Sequence, residues 1–178
     1  MNWLTDEQLV NNLRNGMSNA FEEIYYRYKR QIYTFFLTLA GNQFLAEDAT
    51  HDCFMKMYQN IDMLSDPSVL RSWLYTIARN QTYKILKKER GNGRLEEDSV
   101  WSPDTPLSLA ESKDTSRIVS ECIDALKPEY KEVLILREYE QRSYAEITAI
   151  TGDTESSVKS RLFKARRALA EKLEPYFE

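Results

Sequence analysis

The sequence predicts an all-α fold, with two small helical domains joined by a flexible linker. The 178-residue chain contains only five Gly and five Pro, so helix-breaking residues are few. Apolar residues recur every three or four positions through most of it, as on one face of a helix, and no stretch alternates as a strand does. Hydrophobic residues make up 42% of the chain, which is enough to build a core.

The first predicted domain covers residues 1–90 and begins with a capped helix. Thr5 can cap this helix, and Gln8 three residues later completes a capping box. A long helical face follows and is broken by "AGN" at 40–42. Its apolar positions are Phe21, Ile24, Tyr25, Tyr28, Ile32, Phe35 and Leu39. A second helix is expected from about Leu45 to Asn60, with Ala49, Cys53, Phe54 and Met57 facing inward.

After a turn at "SDPS" (65–68), a helix from about Val69 to Glu89 carries aromatic side chains among cations. Its apolar positions are Leu70, Leu74, Ile77, Ala78 and Ile85. The opposite face carries Thr76, Arg79, Asn80, Tyr83 and Lys87, flanked by Trp73. Rings that stack on bases and cations that meet the backbone are what single-stranded nucleic acid requires. The alternative is that Trp73 and Tyr75 belong to the core and the lysines form a solvated helix end.

Residues 91–115 differ in composition and are predicted to be a linker. They include two Gly, two Pro and many Ser, Asp and Glu residues with little periodicity. Residues 91–114 hold two basic and six acidic side chains, so this segment is the most acidic part of a chain whose net charge is −4. As a flexible coil it would span roughly 25–30 Å.

The second predicted domain, residues 116–178, ends in a helix-turn-helix pattern. Ser143 and Glu146 form a capping box, Gly152 permits a sharp turn, and Thr154 can cap the last helix. Upstream, Pro128 suits the first turn of a helix. Further apolar helical positions are Ile118, Cys122, Ala125, Leu126, Val133, Leu134, Leu136, Ala145, Ile147 and Ile150.

The last helix separates apolar from basic residues. Its apolar stripe is Val158, Leu162, Ala165, Leu169 and Leu173. The opposite side carries Ser156, Ser160, Phe163, Lys164 and Arg167. Hydroxyls, cations and one aromatic can contact phosphates, base edges and a thymine methyl in the major groove. The alternatives are a solvated basic helix on a small bundle, or one that binds an acidic protein or a membrane surface.

Taken together, these segments resemble the extracytoplasmic-function subgroup of bacterial sigma factors. "AFEEIYYRYKRQIYTFF", "AEDATHDCFMKMYQNI" and "SWLYTIARNQTYKILKK" look like successive helices of sigma region two. The stretch from "ALKPEYKEVLILREYEQ" to "SVKSRLFKARRAL" looks like sigma region four. The resemblance implies an alternative sigma factor that binds core RNA polymerase and directs promoter-specific initiation, reading −35 and −10 elements and aiding strand opening.

The resemblance also implies roles for particular residues. Core polymerase would be bound through Asp48, His51, Asp52 and Met55. Single-stranded DNA of the −10 element would be contacted by Trp73, Thr76, Arg79, Asn80, Tyr83 and Lys87, after the loop "NIDMLSDPSVL". Duplex DNA of the −35 element would be contacted by Ser156, Ser157, Lys159, Ser160, Arg161, Phe163, Lys164 and Arg167. An anti-sigma factor is a further expected partner, as is common in the family.

Two other function classes are weighed against this one. An enzyme could use Glu47 and His51 as a metal pair, but no second ligand pair or nucleophile motif follows, so we expect no catalysis, cofactor or metal. A conventional helix-turn-helix regulator would bind its operator alone as a dimer. We expect instead a cytoplasmic protein without membrane insertion that is monomeric when free. Cys53 and Cys122 are expected to be reduced thiols.

Overall fold

A computed structural model describes residues 4–91 and 113–177. The helices are α1 (Asp6–Arg14), α2 (Ser18–Ala40), α3 (Gln43–Gln59), α4 (Leu70–Gly91), α5 (Lys113–Asp124), α6 (Pro128–Leu134), α7 (Tyr144–Thr151) and α8 (Glu155–Leu173). Within these two ranges there is no β-strand, which confirms the all-α prediction. Most of the expected linker, residues 92–112, lies outside the described residues. Its two ends are helical, because α4 reaches Gly91 and α5 begins at Lys113.

The helix boundaries of the first half follow from local chemistry. Thr5 and Gln8 form the predicted capping box at the start of α1. Gly41 ends α2 in the left-handed region with φ 66°, where a side chain would be strained, and the side chain of Asn42 then caps α3. Asp66 accepts from the backbone N–H of Ser68 and opens a short 3₁₀ turn that leads into α4.

The core of the first half lies between α2, α3 and α4. Phe35, Phe36, Phe54 and Tyr75 are among its largest fully buried side chains, and the rings of Phe35 and Tyr75 meet edge to face at 5.3 Å. The predicted inward residues of α3 are all buried, including Phe54. Tyr75 is therefore a core residue, as the alternative interpretation of α4 supposed.

The second half forms a helix-turn-helix around a smaller core. Ser143 and Glu146 make the predicted capping box of α7, Gly152 ends it at φ 75°, and Thr154 caps α8 by accepting from the N–H of Ser157. Ile147 and Ile150 of α7 are buried, but Ala145 is exposed because it lies on the outer side of this short helix. The core of this half consists of Leu126, Val133, Leu134, Leu162 and Ala165.

The segment after α6 departs from the predicted regular helix. Residues Ile135–Tyr139 form a π-helical turn, in which the N–H of Glu140 donates to the carbonyl of Ile135 at 3.0 Å. Such a turn holds one more residue than an α-helical turn, so the residues after it are rotated relative to α6. Glu140 is thereby placed against the first half of the molecule, where it meets Arg71.

The two halves pack against each other. Helix α7 lies on α4, and α6 touches α2. Ile135, Leu136, Ile147, Ile150 and Val158 belong to the same continuous apolar cluster as the core of the first half. Among the described helices, none is long and apolar enough to cross a bilayer.

Candidate nucleic-acid interface

Helix α8 presents its polar face to solvent. Phe163 is 68% exposed, and the apolar residues Val158, Leu162 and Ala165 lie buried on the other side. Of the predicted duplex-binding residues, the exposed ones are Ser156, Lys159, Ser160, Phe163, Lys164 and Arg167, and the partly buried ones are Ser157 and Arg161. The predicted set therefore lies on one helix, with most of its members accessible to a large partner.

Acidic residues of the same domain pair with the cations of α8. Lys159 Nζ lies 2.6 Å from Glu155, and Arg167 lies 2.9 Å from Glu171, both one helical turn away. Arg161 pairs with Asp153 at 2.7 Å and holds the pKa of that carboxyl below its usual range. These pairs moderate the positive field of the helix, and the exposed ones are readily broken, because such pairs contribute little to stability.

Helix α4 carries the predicted single-strand residues on a face that is only partly open. Asn80 and Lys87 are exposed, whereas Trp73, Thr76, Arg79 and Tyr83 are partly buried. The guanidinium of Arg79 lies over the ring of Tyr83, 4.9 Å from its centroid. A cation stacked on a ring is a suitable arrangement for an unstacked base and its phosphate.

A buried carboxylate of the second half covers part of this face. Glu132 of α6 is fully buried, and its Oε1 lies 2.7 Å from Arg79 Nε. The Tyr83 hydroxyl donates to Glu132 Oε2 at 3.2 Å. Burial raises the pKa of Glu132, and the nearby Arg79 opposes that shift. The sequence analysis missed Glu132 because its partners lie about fifty residues away, where no local pattern could indicate them.

The loop between α3 and α4 is held by Arg14 at the end of α1. The Arg14 guanidinium donates to the carbonyl of Ile61 at 3.0 Å and to that of Leu64. Ile61 and Leu64 are buried, whereas Met63 between them is 76% exposed. Arg14 thus fixes the loop so that Met63 projects outward. The sequence held no signal for this role, because a single cation at a helix end is common.

The predicted docking residues on α3 lie on the surface. Asp48, His51, Asp52 and Met55 are all exposed. Two aromatic residues that the sequence analysis left out, Phe44 and Tyr58, extend this face and are 80% and 52% exposed. Phe44 lies four residues before Asp48, and Tyr58 lies three residues after Met55. Such spacings place residues on the same face of a helix, so the sequence could have indicated this shared face. Exposed aromatic residues and Met55 suit a protein partner, because these residue types are enriched at protein–protein interfaces.

Glu47 and His51 are candidate metal ligands only in the enzyme alternative, and the Glu47 carboxylate is engaged within its own helix. Gln43 Nε2 donates to Glu47 Oε1 at 3.1 Å, so the Glu47 carboxylate faces the preceding turn of α3. Across residues 4–91 and 113–177, no group of three or more metal-ligating side chains converges.

Comparison with known proteins gives two family matches. The sigma-70 region 2 model matches residues 24–91, and the sigma-70 region 4 model matches residues 116–169. The matches span about two thirds of the chain, in the order that the sequence predicted. The chain belongs to the sigma-70 family. Its similarity to curated extracytoplasmic-function sigma factors supports the subgroup that the sequence indicated. Its role is therefore in transcription initiation.

Curated relatives match this sigma factor over most of their length. The extracytoplasmic-function RNA polymerase sigma-E factor of Haemophilus influenzae is 29% identical, with 97% of each chain covered. The sigma factor SigM of Bacillus subtilis is also 29% identical, over 84% of this chain and 93% of the relative.

Solved structures of sigma factors share the fold. The sigma factor RpoE of Bartonella quintana, crystallised with the anti-sigma factor NepR, has a TM-score of 0.69 at 26% identity, covering 86% of this chain and 96% of that one. CnrH in complex with the cytosolic domain of CnrY has a TM-score of 0.74 at 19% identity, covering 96% and 97% of the two chains. In this sigma factor, α4 thus lies in region two and α7 and α8 lie in region four.

Proposed function

We propose that this sigma factor binds core RNA polymerase, reads the −35 and −10 elements of its promoters and aids strand opening. The observation that carries the proposal is that one chain has two helix faces with different chemistry, each suited to a different form of DNA. Helix α8 offers hydroxyls, cations and Phe163 on an exposed face that suits the major groove. Helix α4 offers Trp73, Arg79 and Tyr83 for unstacked bases. Opening a promoter requires contact with both forms of DNA.

In the proposed arrangement, region two supplies polymerase docking and the single-strand contacts. The exposed face of α3, with Asp48, His51, Asp52 and Met55, docks on polymerase, and Phe44 and Tyr58 enlarge that face. Arg14 holds the loop before α4, so that the loop and α4 meet the −10 strand together. The protein has no catalytic role of its own in this scheme, and the polymerase performs the chemistry.

In the proposed arrangement, region four supplies the −35 contact, and a second protein inhibits the sigma factor. The proposed duplex contacts of α8 are Ser156, Ser157, Lys159, Ser160, Arg161, Phe163, Lys164 and Arg167. An anti-sigma factor is the proposed inhibitor, since the similar RpoE was crystallised with one. The free chain is proposed to be a monomer.

The experiment that tests docking is gel filtration of the purified chain with core RNA polymerase that lacks sigma. We expect co-elution at one to one, and transcription from a promoter library by the resulting complex. The double variant D48R/D52R should lose co-elution because it reverses the charge of the docking face. The matched control is E7R on the exposed start of α1, which should co-elute like the wild type.

A conventional regulator would give a different result. It would fail to co-elute with polymerase that still accepts another sigma factor, and it would bind a specific duplex by itself. That pair of results would overturn the proposal.

A further inference from the structure

Four side chains of α4 form a stripe that alternates arginine and tyrosine: Arg71, Tyr75, Arg79 and Tyr83. They are spaced four residues apart, so they follow one another along a single side of the helix. Each of them faces an acidic residue of region four. We call these four residues the Arg/Tyr stripe. Tyr75 belongs to the core of region two, so Arg71, Arg79 and Tyr83 are the members that a partner of region two could contact.

Glu132 occupies the C-terminal half of the Arg/Tyr stripe. Its two carboxylate oxygens face different partners: Oε1 lies 2.7 Å from Arg79 Nε, and Oε2 accepts from the Tyr83 hydroxyl at 3.2 Å. The side chain has no solvent exposure, so no water replaces these contacts. A buried carboxylate is stable only when such partners are present.

Glu140 occupies the N-terminal half of the stripe. Its Oε2 accepts from Arg71 Nη2 at 2.7 Å, and its side chain is only 9% exposed. The phenol of Tyr75 is also near this carboxylate, and burial together with Glu140 raises the pKa of Tyr75. The π-helical turn before Glu140 delivers it to this position.

The two acids and the two arginines match in spacing. Arg71 and Arg79 are eight residues apart, as are Glu132 and Glu140. Around these pairs, α7 packs on α4, and the buried Ile147 and Ile150 join the core of region two. The contact therefore combines two ion pairs with an apolar surround, as a specific interface does.

We propose that Glu132 and Glu140 form an acidic latch that holds region four on α4 and competes with single-stranded promoter DNA for the Arg/Tyr stripe. This inference rests on the proposed function, which assigns Arg79 and Tyr83 to the unpaired strand. The latch carboxylates take the place of backbone phosphates, since both are anions that accept from guanidinium groups. The free protein is closed, and DNA contact at the stripe requires region four to move away.

The strength of the competition depends on the closed fraction. A chain that is about 90% closed binds single strands about tenfold more weakly than an open chain. Full loss of the latch in such a chain should therefore raise single-strand affinity by up to about tenfold. The same loss should increase the radius of gyration, from about 16 Å for a compact chain of this length.

The test uses the full-length double variant E132Q/E140Q, which keeps side-chain size and removes both charges. Its affinity for a fluorescein-labelled mixed-sequence single strand of roughly 12 nucleotides is measured by anisotropy. Its radius of gyration is measured by small-angle X-ray scattering. The matched control is E121Q/E174Q, which removes two charges from exposed positions of the same region. It corrects for the effect of net charge on DNA binding.

We expect tighter single-strand binding and expansion in E132Q/E140Q, with neither change in the control. The latch is overturned if both double variants gain affinity equally, or if E132Q/E140Q binds and scatters like the wild type. Circular dichroism checks that the helices persist. If E132Q/E140Q does not fold, the single variant E140Q and its control E121Q replace the pair in the same measurements, because Glu140 is 9% exposed whereas Glu132 is fully buried.

Failure of the proposed function gives a separate result. A variant that expands but binds no single strand, even together with core polymerase, would overturn the single-strand role of α4 and with it the competition. A wild-type chain that binds single strands as tightly as E132Q/E140Q would overturn the latch and leave the proposed function intact.

Discussion

Helices α4 and α8 both carry proposed nucleic-acid contacts, but their cations are neutralised in different ways. On α8, Lys159 and Arg167 pair with acids one turn away and stay on the surface. On α4, Arg71 and Arg79 pair with acids of the other region, and Glu132 is fully buried there. A local pair moderates charge without covering the helix. A pair with a distant acid also brings another domain onto the helix. Such a pair therefore decides whether DNA can reach that face of the helix.

The largest expected effect is on stability when Arg79 is removed. R79A leaves the buried Glu132 without its cation, and we expect a loss of about 3 kcal/mol from the free energy of unfolding, at the low end for a buried pair because Arg79 is itself 23% exposed. R167A removes an exposed pair on α8 and should cost no more than about 0.5 kcal/mol. Urea unfolding followed by circular dichroism compares the two variants. Equal losses of unfolding free energy in the two variants would show that buried pairs between regions contribute no more to stability than exposed pairs within one helix.

The second-largest expected effect is that region four moves away from α4 at alkaline pH. Burial first, and then a neighbouring carboxylate, raise the pKa values of Tyr75 and Tyr83 above their ordinary value of 10. Glu140 and Glu132 belong to region four, so their part of these pKa shifts exists only in the closed form, which therefore favours the protonated phenols. Their contribution is fully present below pH 10 and is lost as the pH rises further, by at most about 1.4 kcal/mol per pH unit for Tyr75. Tyr83 is more exposed and contributes less.

This pH effect is measured from the radius of gyration in an alkaline titration. The wild-type chain should expand above about pH 10, where free phenols ionise. The variant Y75F lacks the more deeply buried of the two phenols and should expand less steeply. Identical curves for the two proteins would show that Tyr75 has no part in closure.

A smaller effect is expected from the exposed aromatic residue of α8. F163A should weaken binding of the polymerase complex to the duplex part of a recovered promoter about fivefold, since Phe163 can contact a thymine methyl. It should leave binding of the labelled single strand unchanged, because α8 lies outside the Arg/Tyr stripe. A loss on single strands instead of duplex would reverse the roles given to the two helices.

The smallest effect concerns salt. The free protein should bind duplex DNA weakly, because its net charge is −4 and Lys159 and Arg167 of α8 are paired with acids. When the logarithm of affinity is plotted against the logarithm of salt concentration, the slope for K164A should be less steep by about one. K56A, an exposed lysine of α3, should leave that slope unchanged. Tight and salt-resistant binding by the free wild type would contradict the moderating role of the local pairs.

The sequence by itself determined the helices and the chemistry of their faces. The capping residues Thr5 and Ser143 act on N–H groups three positions away, and Gly152 ends α7 through its own backbone conformation. Such short-range interactions are visible in any window of the sequence, as is the apolar stripe that turns Phe163 and Lys164 outward. The order of the two family regions followed from the same patterns.

Only the tertiary structure decided which of these faces are covered. Arg71 meets Glu140 across 69 positions of the chain, and Tyr83 meets Glu132 across 49. Arg14 reaches the loop carbonyls of Ile61 and Leu64 in the same way. Charge and hydrogen-bonding capacity are properties of single residues, but partner choice depends on how the helices pack. The burial of Glu132 is therefore a consequence of domain packing that no local pattern contains.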